Sequence, residues 1–182
     1  MYTTHNFIGM FYRMQQQFII RITVAFFFVL SGCNDNNNQM NSGTKKEREI
    51  NTIQLKDLSG KIISLDIYSG KTIFINFWAT WCKPCLQEMP SIEKARELLK
   101  GENIEFLFAS DETTEQITAF KTDHDYSFNY VTCENMDALN IAGLPTTFIF
   151  NPKGQLVFSE MGYRKWDDKE NIDLLLEIIN SK

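Results

Sequence analysis

Two cysteines stand three positions apart in "FWATWCKPCLQEMP", residues 77–90, with only Lys83 and Pro84 between Cys82 and Cys85. Thiols so spaced can clamp a soft metal ion, close a small structural disulfide, or exchange electrons as a dithiol–disulfide couple. The flanking pattern bears on the choice. "KTIFINFW", residues 71–78, is a nearly continuous apolar run of strand length, whereas after Cys82 the residues Leu86, Met89, Ile92, Arg96 and Leu99 recur at helical spacing. A cysteine pair that follows a buried strand and opens a helix has the redox placement. Unpaired N–H groups and the dipole at the helix N-terminus favour a thiolate at Cys82, and the thiolate is the attacking form. Cys85, one turn along and deeper, is placed to attack the resulting mixed disulfide. Lys83 adds positive charge that pushes the same way, and Pro84 suits a first turn, where its missing N–H costs nothing. A zinc or copper clamp needs further soft or imidazole ligands. Beyond residue 32 the sequence offers one histidine, His124, and no second cysteine pair. No metal is expected. A purely structural bridge over so short a loop would stabilise little.

The elements that must position this pair follow from periodicity. "NTIQLKDLSGKIISLDIYSGK" alternates apolar and polar residues about Ser59 and Gly60, which predicts a hairpin with strands near 53–55 and 62–65. The run 71–78 predicts a central strand buried on both faces. The helix from Cys82 to Lys100 carries Pro90, which should kink it. "NIEFLFAS" reads as a second buried strand, and "DETTEQITAFKTDH" as a surface helix whose first residues suit capping. "LPTTFIFNPKGQLVFSE" predicts two strands around a turn at 151–154. "KWDDKENIDLLLEIIN" predicts an amphipathic helix with Ile172, Leu175, Leu176 and Ile179 inward. The order describes an α/β sandwich, a mixed central sheet flanked by helices with an N-terminal β-hairpin addition. Trp78 and Trp81 are expected to be partly core, Trp166 to serve helix packing, and Cys133 in "YVTCENMD" to be a small buried side chain.

"ITVAFFFVLSGC", residues 22–33, is too short to span a bilayer but has the length of a signal-peptide apolar region. "LSGC" resembles the lipobox of bacterial lipoproteins, in which Cys33 would be lipidated and become the first residue after cleavage. Met10 and Met14 are alternative starts to Met1, and a start at Met14 gives a leader of ordinary length. Residues 34–49, "NDNNNQMNSGTKKERE", are polar and expected to stay disordered. The chain thus divides into a leader at 1–32, an Asn-rich tether at 33–50 and one domain at 51–182. Removing the leader takes away Arg13 and Arg21, leaving 16 basic against 23 acidic residues and a formal charge of −7. No basic stripe is present, so nucleic acid is not an expected partner. Export implies an oxidising compartment, where thiols persist only if something keeps them reduced.

"NFWATWCKPCLQEMP" together with "IAGLPTTFIFNPKGQLV" resembles the TlpA/ResA-like branch of the thioredoxin superfamily, membrane-anchored extracytoplasmic thiol-disulfide oxidoreductases. The resemblance implies a thioredoxin-like fold and exchange through Cys82 and Cys85, with no cofactor beyond their redox-active disulfide. It implies that Pro145 in "GLPTT" is the family's cis-proline, exposing the Leu144 backbone to an extended substrate. It also implies that Glu88 handles the resolving cysteine's proton and that Trp81 is the aromatic before the nucleophile. Asn76 stands where thioredoxin itself has a buried aspartate, a replacement usual in this branch. The implied partners are protein thiols and disulfides, a membrane donor of electrons, and the membrane through the lipid anchor. The implied setting is the bacterial cell envelope, with the protein a monomer and a reductase of exported proteins such as apocytochrome c. A copper chaperone using the pair as ligands and a thiol peroxidase are the alternatives.

Overall fold

The computed structural model describes residues 50–181. The leader, Cys33 and all of the tether before Ile50 lie outside the described residues. Seven strands form one sheet in the order β2-β1-β5-β4-β3-β6-β7. They are β1 (Leu55–Asp57), β2 (Ile62–Ile63), β3 (Thr72–Phe77), β4 (Ile104–Ser110), β5 (Asn129–Cys133), β6 (Thr146–Phe150) and β7 (Leu156–Met161). Three helices accompany them: α1 (Lys83–Leu98), α2 (Thr114–Asp123) and α3 (Lys169–Ile179). The fold is a thioredoxin-like mixed sheet in which β3, β4 and β5 run parallel while β1, β6 and β7 pair antiparallel.

Both parallel connections, β3 to β4 and β4 to β5, step the same way across the sheet. A common right-handed sense then puts α1 and α2 on one face. The core agrees. Phe74 and Trp78 at the β3 end join Met89 and Ile92 of α1, Ile117 and Phe120 of α2 and Leu175 of α3 in one buried cluster. Alternate β3 residues, Ile73, Ile75 and Phe77, join a second cluster with no α-helical member. That face is closed by short 3-10 turns at Ile50–Thr52, Leu65–Tyr68 and Met136–Leu139, which contribute Ile50, Leu65, Met136 and Leu139. Every β3 residue is buried, as a central strand covered on both faces requires.

Several expectations shift. The first hairpin begins two residues later than predicted, at Leu55, because residues 50–52 form a turn and Asp57 organises the reversal. Its carboxylate accepts from the backbone N–H groups of Ser59 and Lys61 and from the Ser59 hydroxyl. Gly60 takes the left-handed φ of 84° that this turn needs. The N-terminal hairpin addition joins the main sheet, with β1 paired to β5. Strand β5 itself is absent from the sequence-based layout. Pro90 lies within α1, which continues to Leu98. In α3, Leu175, Ile178 and Ile179 are buried, while Ile172 and Leu176 are only half-buried. No helix among the described residues is long and apolar enough to cross a membrane.

Candidate active site

The end of β3 delivers the cysteine pair. Phe77 is the last strand residue, and Trp78 still donates its backbone N–H to the Ala109 carbonyl at 3.0 Å. The chain then turns, with Cys82 N–H on the Ala79 carbonyl, and α1 begins. Cys82 is the N-cap, and its sulfur accepts from the Cys85 backbone N–H at 3.3 Å. That is the local geometry in which unpaired N–H groups favour negative charge on sulfur. Cys82 and Cys85 are joined as a disulfide, with an S–S distance of 2.02 Å. Cys82 is 3% exposed and Cys85 1%. Lys83 and Pro84 both face solvent in the first turn.

Trp81 is 73% exposed, against the expectation that it would be partly core, while Trp78 is fully buried. The reason is the β3 alternation: Trp78 continues the helix-facing row of Phe74, whereas Trp81 lies in the turn beyond the strand. The turn is tied down by a residue that sequence reasoning missed. Glu112, just past β4, accepts from the Thr80 backbone N–H at 2.7 Å and from the Thr80 hydroxyl at 2.6 Å. The Ser110 hydroxyl donates to the same carboxylate at 3.2 Å. An acid two residues past a central parallel strand was the available signal, because functional groups gather at the carboxyl ends of such strands.

Strand β6 brings the second motif alongside. Phe77 is paired with Thr146, so Pro145 sits one residue before the strand, level with the turn that leads to Cys82. The Leu144–Pro145 peptide bond is cis. Pro145 is buried, and its carbonyl accepts from the Gly162 N–H at 2.7 Å. Leu144 is half-buried against the same cluster that holds both cysteines.

Glu88 lies one turn beyond Cys85 on the same face of α1. It is 1% exposed, and burial pushes its carboxyl up to about 7 from an ordinary 4.5. The negative charge of Glu160 acts in the same direction, while the Trp166 indole and the Arg164 backbone act against it. The Trp166 indole N–H donates to Glu88 Oε1, and Glu88 Oε2 has no hydrogen-bond partner among the described residues. Trp166 therefore does more than pack a helix. It lies before α3, 1% exposed, with its ring edge-on to Phe74 at 4.7 Å. Its signal was a lone aromatic in the charged run "RKWDDKE".

Asn76, on the helix-facing side of β3, is 1% exposed and donates to the Thr147 hydroxyl at 3.0 Å. Cys133 is not brought to the pair. It lies on β5 in the opposite core, 4% exposed, and burial pushes its thiol up to about 11. Among the described residues, no group of three or more His, Cys, Asp or Glu side chains is arranged to hold a metal ion.

The AhpC/TSA family pattern matches residues 47–159. The thioredoxin-like protein YneN of Bacillus subtilis is 35% identical over 139 residues, which cover 72% of this chain and 81% of YneN. The thiol-disulfide oxidoreductase ResA of the same organism is 34% identical over 107 residues, 57% of this chain and 60% of ResA. A crystal structure of a thiol:disulfide interchange protein from Chlorobium tepidum superposes with a TM-score of 0.60 at 22% identity. That match covers 73% of this chain and 98% of the other, and at this identity it speaks to the fold alone.

Proposed function

This chain belongs to the AhpC/TSA family as a ResA-like thiol-disulfide oxidoreductase of the thioredoxin superfamily, and from that premise we propose that it is a lipid-anchored reductase of exported proteins. The observation that carries the reading is the cysteine pair at the head of α1, with a buried carboxyl one turn behind it. In the reduced protein the Cys82 thiolate attacks a substrate disulfide, forms a mixed disulfide and releases the first substrate thiolate. Cys85 then attacks the Cys82 sulfur, closing the Cys82–Cys85 bond and releasing the second thiolate. The substrate gains two electrons and the pair loses two, which a membrane thiol donor restores. No cofactor beyond this disulfide takes part.

Cys85 must lose its proton to attack. Glu88, whose carboxyl is pushed up to about 7, is half-ionised near neutral pH and stands on the matching face of α1. A Cys85 thiolate would raise the carboxyl further, because two negative charges resist sharing one buried site. The two groups then titrate as a pair. Lys83, exposed beside Cys82, favours the thiolate through its charge, and Pro84 fixes the first turn. The exposed Trp81 ring and the Leu144 backbone before Pro145 receive an extended substrate segment.

The lipobox resemblance at Cys33 supports extracytoplasmic anchoring in the bacterial cell envelope, with residues 34–49 as the tether. Such a setting suits a monomer acting on exported proteins, apocytochrome c among them. The test is reduction of insulin disulfides by the pre-reduced protein in chelator-treated buffer, with two electrons delivered per molecule. Failure to reduce insulin, accompanied by a tight stoichiometric copper complex or by consumption of hydroperoxide, would overturn the reductase reading.

A further inference from the structure

Trp166 is bonded to one turn of α1 at two points. Its indole N–H donates to the Glu88 carboxylate, and its backbone N–H donates to the Ser91 hydroxyl at 3.1 Å. That hydroxyl in turn donates to the Glu88 carbonyl at 2.8 Å. The ring is held from its other sides as well. Phe74 of β3 and Phe158 of β7 meet it edge-on at 4.7 and 5.8 Å. The Arg164 guanidinium lies over it at 5.4 Å and is ion-paired with Glu160. Apolar packing alone would be met by a phenyl ring; the polar edge of this ring is spent on Glu88.

We infer that Trp166 is a positioning residue for the resolving half of the exchange, holding the Glu88 carboxylate beneath Cys85 by its indole N–H. This rests on the proton role proposed for Glu88. A buried carboxylate is costly without a donor, and a donor that bonds the charged form offsets that cost. Trp166 thereby keeps Glu88 able to give up its proton near neutrality, when burial alone would drive it toward permanent protonation. From the elements over α1, the charge of Glu160 on β7 raises the Glu88 carboxyl even though Glu160 is ion-paired with Arg164, and the Arg164 backbone in the loop that follows acts the other way. On α1 itself the titrating neighbour is Cys85, once the disulfide is opened.

The experiment is a carbon-13 carboxyl NMR titration of Glu88 in the oxidised protein, with the Glu88 signal identified by its loss in Glu88→Gln. Three proteins are compared: wild type, Trp166→Phe, and one carrying β-(3-benzothienyl)alanine at position 166. The last keeps the bicyclic shape and lacks the N–H, so it decides the matter if the phenylalanine variant fails to fold. The expected result is an upward move of the Glu88 midpoint by about one pH unit or more. The pH profile of mixed-disulfide resolution should move the same way, while the rate of the first attack by Cys82 changes less than about twofold. A midpoint that stays in place or falls in the benzothienyl protein overturns the inference. An upward midpoint with an unmoved resolution profile supports the hold of Trp166 on Glu88 and overturns the proton role of Glu88.

Discussion

Replacing Glu88 with glutamine should remove a specific pH dependence from the stability of the oxidised protein. The folded carboxyl titrates at about 7 and the unfolded one near 4.5, so the folded chain binds this proton more tightly. Stability from this group is therefore fully present below the unfolded value and is lost as pH rises through the folded one. At about 1.36 kcal/mol per pH unit, the whole loss is about 3 kcal/mol, most of which falls between pH 5 and pH 8. Glutamine keeps the volume and an oxygen for the Trp166 indole but does not titrate. Keeping Cys82 and Cys85 joined excludes thiolate titration at Cys85 from the comparison. Urea unfolding at a series of pH values, wild type minus Glu88→Gln, isolates the residue because every other group cancels in the difference. The wild type should lose most of that stability relative to the variant across that range. Parallel curves, or a wild type that gains stability with pH relative to the variant, would refute the account of a carboxyl raised by burial.

Glu112→Ala should leave the Thr80 N–H and hydroxyl without their partner, costing about 1–3 kcal/mol in urea unfolding and slowing the first attack by Cys82 in stopped-flow alkylation. An unchanged attack rate would mean that the turn holds itself. After reduction of the Cys82–Cys85 bond, the folded chain from residue 34 onward should show two fast-alkylating thiols at pH 8, because Cys133 is buried and its thiol is pushed up to about 11. A third fast thiol would show that the β5 core opens readily. Cys33→Ser in a bacterial host should abolish incorporation of labelled lipid and leave the leader uncleaved, whereas retained label would remove the lipobox reading.

Much of this architecture was legible because burial writes itself into composition. Strand β3 lies under both core clusters, and "TIFINF" is accordingly apolar almost throughout. The redox pair was legible because strand, CxxC and helix occur within one short stretch. Strand β5 was not. It is only five residues long, and its buried faces are filled by Tyr130, Thr132 and Cys133 as well as Val131, so no apolar run or clean alternation marks it. Its place is set by β4 and β1, which are distant in sequence. The same limit explains the site. Glu88 could be placed from helical spacing, but its indole donor comes from a residue 78 positions away, and the clamp on Thr80 from one 32 away. Trp81 went the other way: an aromatic beside a core strand read as core, although the strand had already ended at Phe77.

The most direct test of dithiol–disulfide exchange is trapping with Cys85→Ala. Without the resolving thiol, the mixed disulfide formed by Cys82 should persist, and mass spectrometry of non-reduced peptides from envelope preparations should find partner cysteines joined to Cys82. The adducts should disappear in Cys82→Ala/Cys85→Ala. Adducts joined through Cys133, or none at all from a folded and reduced Cys85→Ala protein, would contradict the assignment of Cys82 as the attacking residue.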